Sequence, residues 1–128
     1  MSTLAKIDIP ELDTATLEIV NDGRVRLSGT IAAQSPASLL RPCFQAIHEA
    51  ALRDGCRQLE VDVQGLTFVN SSSIRLFIDW AMWIQALEED RRYLLRFLTH
   101  PDITWQNTSF AAIKTIVGDV VSIEAQAA

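Results

Sequence analysis

Residues 59–80 read Leu-Glu-Val-Asp-Val-Gln-Gly-Leu-Thr-Phe-Val-Asn-Ser-Ser-Ser-Ile-Arg-Leu-Phe-Ile-Asp-Trp, and the spacing of their apolar residues changes once along the way. Leu59, Val61 and Val63 alternate with Glu60 and Asp62. That period of two belongs to a strand, whose successive side chains point to opposite faces. The strand runs from Gln58 to Val63, Gly65 interrupts it, and Leu66-Thr67-Phe68-Val69 continues as an apolar, buried run. Beyond Asn70, Ile74, Phe77, Ile78 and Ala81 recur at helical spacing, and the helical stretch extends from Ser71 to Asp90. Asn and Ser are favoured at helix starts, where a side-chain oxygen accepts a bond from a backbone N–H that lacks a partner within the helix. On the plainest reading, one of Asn70, Ser71 and Ser72 is the cap. A second reading uses the same geometry. A helix start offers free N–H donors and a partial positive charge, so it tolerates an added phosphate, and a hydroxyl there stands within reach of a partner.

Towards the N-terminus, Leu17 and Ile19, then Val25 and Leu27, alternate on either side of Asn21-Asp22-Gly23, which predicts a β-hairpin with an Asp-Gly turn. Pro36 and Pro42 each offer a helix start. Pro42 is preferred, because a helix begun at Pro36 would carry Pro42 inside it at a cost of about 3 kcal/mol. Phe44, Ile47 and Ala51 then share a face, closed by Asp54-Gly55. Towards the C-terminus, residues 92–98 read as a buried strand, residues 109–117 as a helix closed by Gly118, and residues 120–123 as a last strand. The order β-β-α-β-α-β-α-β predicts an α/β class: a mixed sheet with helices packed on it and its later strands parallel. Residues 1–14 read as a loose lead-in, 15–125 as one domain and 126–128 as a short tail.

Of the 128 residues 48% are apolar, which supplies a core without staples. Cys43 and Cys56 lack C-x-x-C spacing, and His48 and His100 stand alone, so neither a disulfide framework nor a metal site is expected, and no cofactor. Free thiols fit a reducing cytoplasm. The net charge of -5 repels phosphate backbones, and Arg91-Arg92 directly follows Glu88-Glu89-Asp90, so nucleic acid is not an expected partner. The first residues lack the layout of a secretory signal, and no run approaches the ~20 apolar residues of a membrane span. No catalytic residue is assigned. A serine hydrolase would need a base near the serines; His100-Pro101-Asp102 is the one candidate, and no G-x-S-x-G elbow accompanies it.

The run Val63-Gln64-Gly65-Leu66-Thr67-Phe68-Val69-Asn70-Ser71-Ser72-Ser73-Ile74 resembles the signature of STAS domains, the anti-sigma-factor antagonists. Their strand ends in Asp-Ser-Ser-Gly before a helix, and the serine after the Asp accepts phosphate. The order of elements from about Thr16 to Glu124 is similar as well. The resemblance implies a STAS-like fold, Ser71 as phosphoacceptor with Ser72 as second choice, and Asn70, Ser72 and Ser73 as the switch loop. It also implies a GHKL-type serine kinase or anti-sigma-like protein as partner and a PP2C-type phosphatase that restores the serine. Asn70 stands where the family has Asp, and Ser73 where it has Gly. An Asn-Ser/Thr-Ser-Ser version looks like a branch of bacterial co-regulators in biofilm and surface signalling. The alternative is a constitutive adaptor of the same fold whose serines only cap.

Leu76, Trp80, Trp83 and Leu87 form a second apolar stripe beside the first. Either another element buries it, or Arg75, Leu76, Trp80 and Trp83 meet a partner or a second copy of the chain, since Trp is enriched at interface hot spots.

Overall fold

The structure, a computed structural model, describes residues 15–21, 23–31 and 36–125, with the backbone alone at 21, 36–39, 71 and 72. The lead-in 1–14, the tail 126–128 and Asp22 of the expected turn lie outside the described residues. Strands β1 (Ala15–Asn21) and β2 (Arg24–Ile31) form the antiparallel hairpin. β3 (Gln58–Val69), β4 (Leu94–Thr99) and β5 (Val121–Ala125) then add in parallel, in the order β1-β2-β3-β4-β5. Helices α1 (Pro36–Asp54), α2 (Ser71–Gln85) and α3 (Thr104–Val117) make the three crossovers. Each right-handed crossover steps one strand in the same direction, so all three helices lie on one face of the sheet.

The alternation read from the sequence sorts the two faces. Val25, Leu27, Leu59, Val61, Val63, Leu95, Phe97 and Val121 point into the core beneath the helices. The opposite face carries charge in register: Arg24 pairs with Glu60 (2.6 Å), Arg26 with Asp62 (3.4 Å) and Glu18 (3.3 Å), and Arg96 with Glu60 (3.8 Å) and Glu124. Half-exposed pairs of this kind contribute about 0–1 kcal/mol each. Their larger effect is on register, because a slip by one residue would turn Glu60 and Asp62 into the core.

Several boundaries differ from expectation; β4 and β5 shift by one or two residues, and the larger differences have physical causes. α1 begins at Pro36 and carries Pro42 inside it. The ring of Pro42 is exposed, and extending the helix buries Leu40 on the same face as Phe44, Ile47 and Ala51. Burying a leucine gains about 1.5–3 kcal/mol, comparable to the penalty of the proline. Arg41 adds an ion pair to Asp79 of α2 at 2.7 Å. α2 stops at Gln85, not Asp90, because Arg92 caps its end: Nη2 donates to Gln85 O (2.8 Å) and Nε to Leu87 O (3.0 Å). A short 3-10 helix, Glu89–Arg91, follows. β3 runs unbroken through Gly65, where its register against β2 shifts. A side chain at 65 would come within 3.0 Å of the Ser28 Cβ, so the glycine admits the close approach.

α3 begins five residues earlier than its apolar spacing indicates, at Thr104. Its first turn is held by polar anchors. β4 pairs with β3 only as far as Asp62, leaving the carbonyls of the later β3 residues without a strand partner on that side. Gln106 is fully buried and takes their place: Nε2 donates to Val63 O (2.7 Å) and Leu66 O (2.8 Å), while Oε1 accepts from the His100 N–H (2.8 Å). Trp105 Nε1 donates to Thr67 O (2.7 Å). Gln106→Ala is therefore expected to destabilise by about 3 kcal/mol, since it orphans three backbone groups. Asn107→Ala, which removes one exposed bond to Pro101 O, should cost less than about 0.5 kcal/mol. Urea unfolding of both variants checks this; equal losses would contradict it.

α2 lies between the other two helices and is covered on both sides. Phe77 meets Phe97 (5.6 Å) and Phe110 (5.5 Å), and Trp80 stacks on Phe44 of α1 at 4.8 Å. Trp80 Nε1 donates to the Tyr93 hydroxyl (2.8 Å), which shares a second hydrogen bond with His48 Nδ1 (2.7 Å). A neutral imidazole with its proton on Nε2 lets the Tyr93 O–H donate in that bond. Burial lowers the His48 pKa; Glu49 acts in the opposite sense and Arg91 in the same. Above about pH 6.5 neither the folded nor the unfolded chain protonates this histidine. Below it, the unfolded chain takes up a proton that the folded one resists, so stability falls with pH until the folded pKa is passed. The urea midpoint should drop more between pH 7.5 and 5.5 in the parent than in His48→Gln; parallel curves would contradict the assignment.

Candidate functional site

The site is built at the end of β3. The Asn70 N–H donates to Ile31 O (2.9 Å), tying the strand end to the end of β2. Asn70 has extended backbone (φ -74°, ψ 166°) and is the N-cap of α2: its Oδ1 accepts from the Ser73 N–H at 3.0 Å, and its carbonyl from the Ile74 N–H at 3.1 Å. The capping oxygen is thus an amide, and none of the serines is needed for that bond.

Ser71 and Ser72 are the first two residues of α2; their side chains lie outside the described residues. Ser73 is fully buried in the first turn, and among the described residues its hydroxyl has no hydrogen-bond partner. The expected switch loop is corrected accordingly. Asn70 alone precedes the helix, Ser72 and Ser73 are helical, and Ser73 is beyond a partner's reach.

The expected interface is corrected as well. Leu76 is 1% exposed and Trp80 0%, both covered because α1 packs against that stripe. Trp83 is half-buried, its ring 5.9 Å from that of His48. Only Arg75 of the four is exposed, one turn beyond Ser71 on the same helix side.

Phe68, and not the buried Trp80, is the exposed aromatic closest in sequence to the serines. It is 49% exposed, two residues before Asn70, with Thr67 exposed beside it. Reading residues 66–69 as one buried run misses it, because a second register shift against β2, between the pairs Gly29–Leu66 and Thr30–Phe68, leaves Leu66 and Val69 inward and the pair between them outside. Elsewhere, His100 Nδ1 accepts from the Asp102 N–H (3.1 Å), a bond internal to its own loop. Among the described residues no group of three His, Cys, Asp or Glu side chains is placed to hold a metal ion. No described helix is long and apolar enough to cross a membrane.

A strand that ends in a capped helix, in a five-stranded sheet with three helices on one face, can be compared directly with solved structures. It is similar to the crystal structure of an anti-sigma factor antagonist from Mycobacterium paratuberculosis, with a TM-score of 0.58 over 89% of this chain and 90% of that one. The chain has a STAS-like fold. At 15% identity the likeness is one of fold. No family model matches the chain, and no curated protein matches it. In this fold Asn70 stands at the junction of β3 and α2.

Proposed function

We propose that the chain is a non-catalytic partner-switching regulator whose binding to another protein is controlled by phosphorylation of Ser71, with Ser72 as second choice. The observation that carries this reading is the cap. Asn70 satisfies the Ser73 N–H, so that donor needs no serine cap, and Ser73 itself is sealed, which leaves Ser71 and Ser72 as the candidates for modification. The fold it shares with an anti-sigma factor antagonist supports a protein partner of the same kind: a GHKL-type serine kinase or anti-sigma-like protein, opposed by a PP2C-type phosphatase. Phosphorylation from ATP assigns the regulator to the cytoplasm.

Magnitudes decide how such a switch works. A phosphate at an exposed helix start gains about 0.3–1 kcal/mol, and an i, i+4 pair with Arg75 a further ~0.2–0.5 kcal/mol. Reversing a two-state equilibrium from 1:99 to 99:1 takes about 5.5 kcal/mol. Local effects on α2 are too small. The charge acts at the partner interface, where about -1.5 to -2 units must be desolvated.

Incubation with such a kinase and ATP, followed by tandem mass spectrometry, is expected to show one phosphate, on Ser71. Unmodified serines would favour the constitutive adaptor, in which residues 70–73 only start and pack the helix.

A further inference from the structure

We infer that the hollow lined by Arg57, Arg91 and Arg92 binds a small phosphate-bearing molecule. It lies at the opposite pole from Ser71, between the end of α1, the residue before β3 and the short 3-10 helix, and encloses about 190 Å³. Ala51 and Leu52 give it an apolar wall, and Asp90 is its one carboxylate.

What sets it apart is that three arginines line one hollow; Arg53, Arg75 and Lys114 are likewise exposed and make no ion pair among the described residues, but none of them lines it. In a chain of net charge -5, Arg24, Arg26, Arg41 and Arg96 all pair with acids. Arg57 and Arg91 are exposed and make no ion pair among the described residues, although Glu88, Glu89 and Asp90 are close in sequence to the second of them. Arg92 is fixed by its bonds to Gln85 O and Leu87 O, which leave Nη1 unused. Three guanidinium groups against one carboxylate give a net of +2, matching a phosphate dianion, and the guanidinium fork suits phosphate oxygens. Sites for drug-sized ligands occupy about 300–1,000 Å³, so this smaller hollow takes the phosphate and a small body attached to it, not a large cofactor.

β3 spans 12 residues between the hollow and Asn70, roughly 40 Å at strand rise, so this site and the serines can be tested separately. Cys56 supplies the reporter. It lines the hollow and is half-exposed, whereas Cys43 is 4% exposed. The rate of Cys56 alkylation by iodoacetamide, followed by mass spectrometry on the full chain, should fall saturably by about fivefold or more with orthophosphate or AMP. Sodium chloride at equal ionic strength should not protect. Tighter protection by AMP identifies a phosphorylated metabolite as the ligand; equal protection identifies the free anion. The double substitution Arg57→Gln, Arg91→Gln should abolish protection, while Ser71→Ala leaves it intact. Absent or unsaturable protection, protection by chloride, or full protection in the double variant would overturn the site.

Discussion

Trp80→Ala should destabilise the chain by about 4 kcal/mol, the upper part of the range for deleting a buried aromatic side chain. Its ring is fully buried against Phe44, and its N–H is the donor to the Tyr93 hydroxyl. The substitution opens a cavity and leaves Tyr93 short of one partner in a place where burial already holds its phenol well above the usual range. Typical domain stability is about 5–15 kcal/mol, so the variant should be near unfolding at 37 °C. Trp80→Phe keeps most of the volume and should lose about 1–2 kcal/mol, chiefly the hydrogen bond. Chemical denaturation separates the two. A Trp80→Ala chain of parental stability would mean that this side chain faces outward.

The second large effect concerns affinity. Ser71→Asp is expected to weaken binding to the GHKL-type partner about 100-fold, and Ser71→Ala to keep it within about threefold. Truncating or opposing a desolvated charge at an interface costs about 2–5 kcal/mol, and tenfold in affinity is about 1.4 kcal/mol. Both variants should melt close to the parent, because the cap bond runs through Asn70. Calorimetric titration reads the difference; indistinguishable affinities would defeat the switch.

The fold was legible wherever one period dominated. Leu59, Val61 and Val63 against Glu60 and Asp62 predict β3 and its faces, and the alternation of strands and helices predicts the parallel additions. Boundaries were missed where tertiary contacts outweighed local preference. Pro42 argues against a helix from Pro36, yet the burial of Leu40 extends it. The first turn of α3 is polar, and nothing in its spacing announces that Gln106 will complete the hydrogen bonding of β3.

The site divides in the same way. Asn70 as cap follows from residue type and position. Two apolar stripes on one helix were open to two explanations; the middle helix of three, touched from both sides, is the one observed for Leu76 and Trp80. Phe68 was hidden because a register shift changes which residues face outward without changing which are apolar.

The most direct measurement of the central claim compares unmodified and Ser71-phosphorylated chain in one titration of the partner kinase, with amide exchange of α2 followed in parallel. The expected result is a large loss of affinity while protection of Phe77, Trp80 and Ala81 stays unchanged, since the added charge acts on the bound protein and leaves the helix intact. Equal affinity of the two forms, or loss of protection along α2, would contradict it.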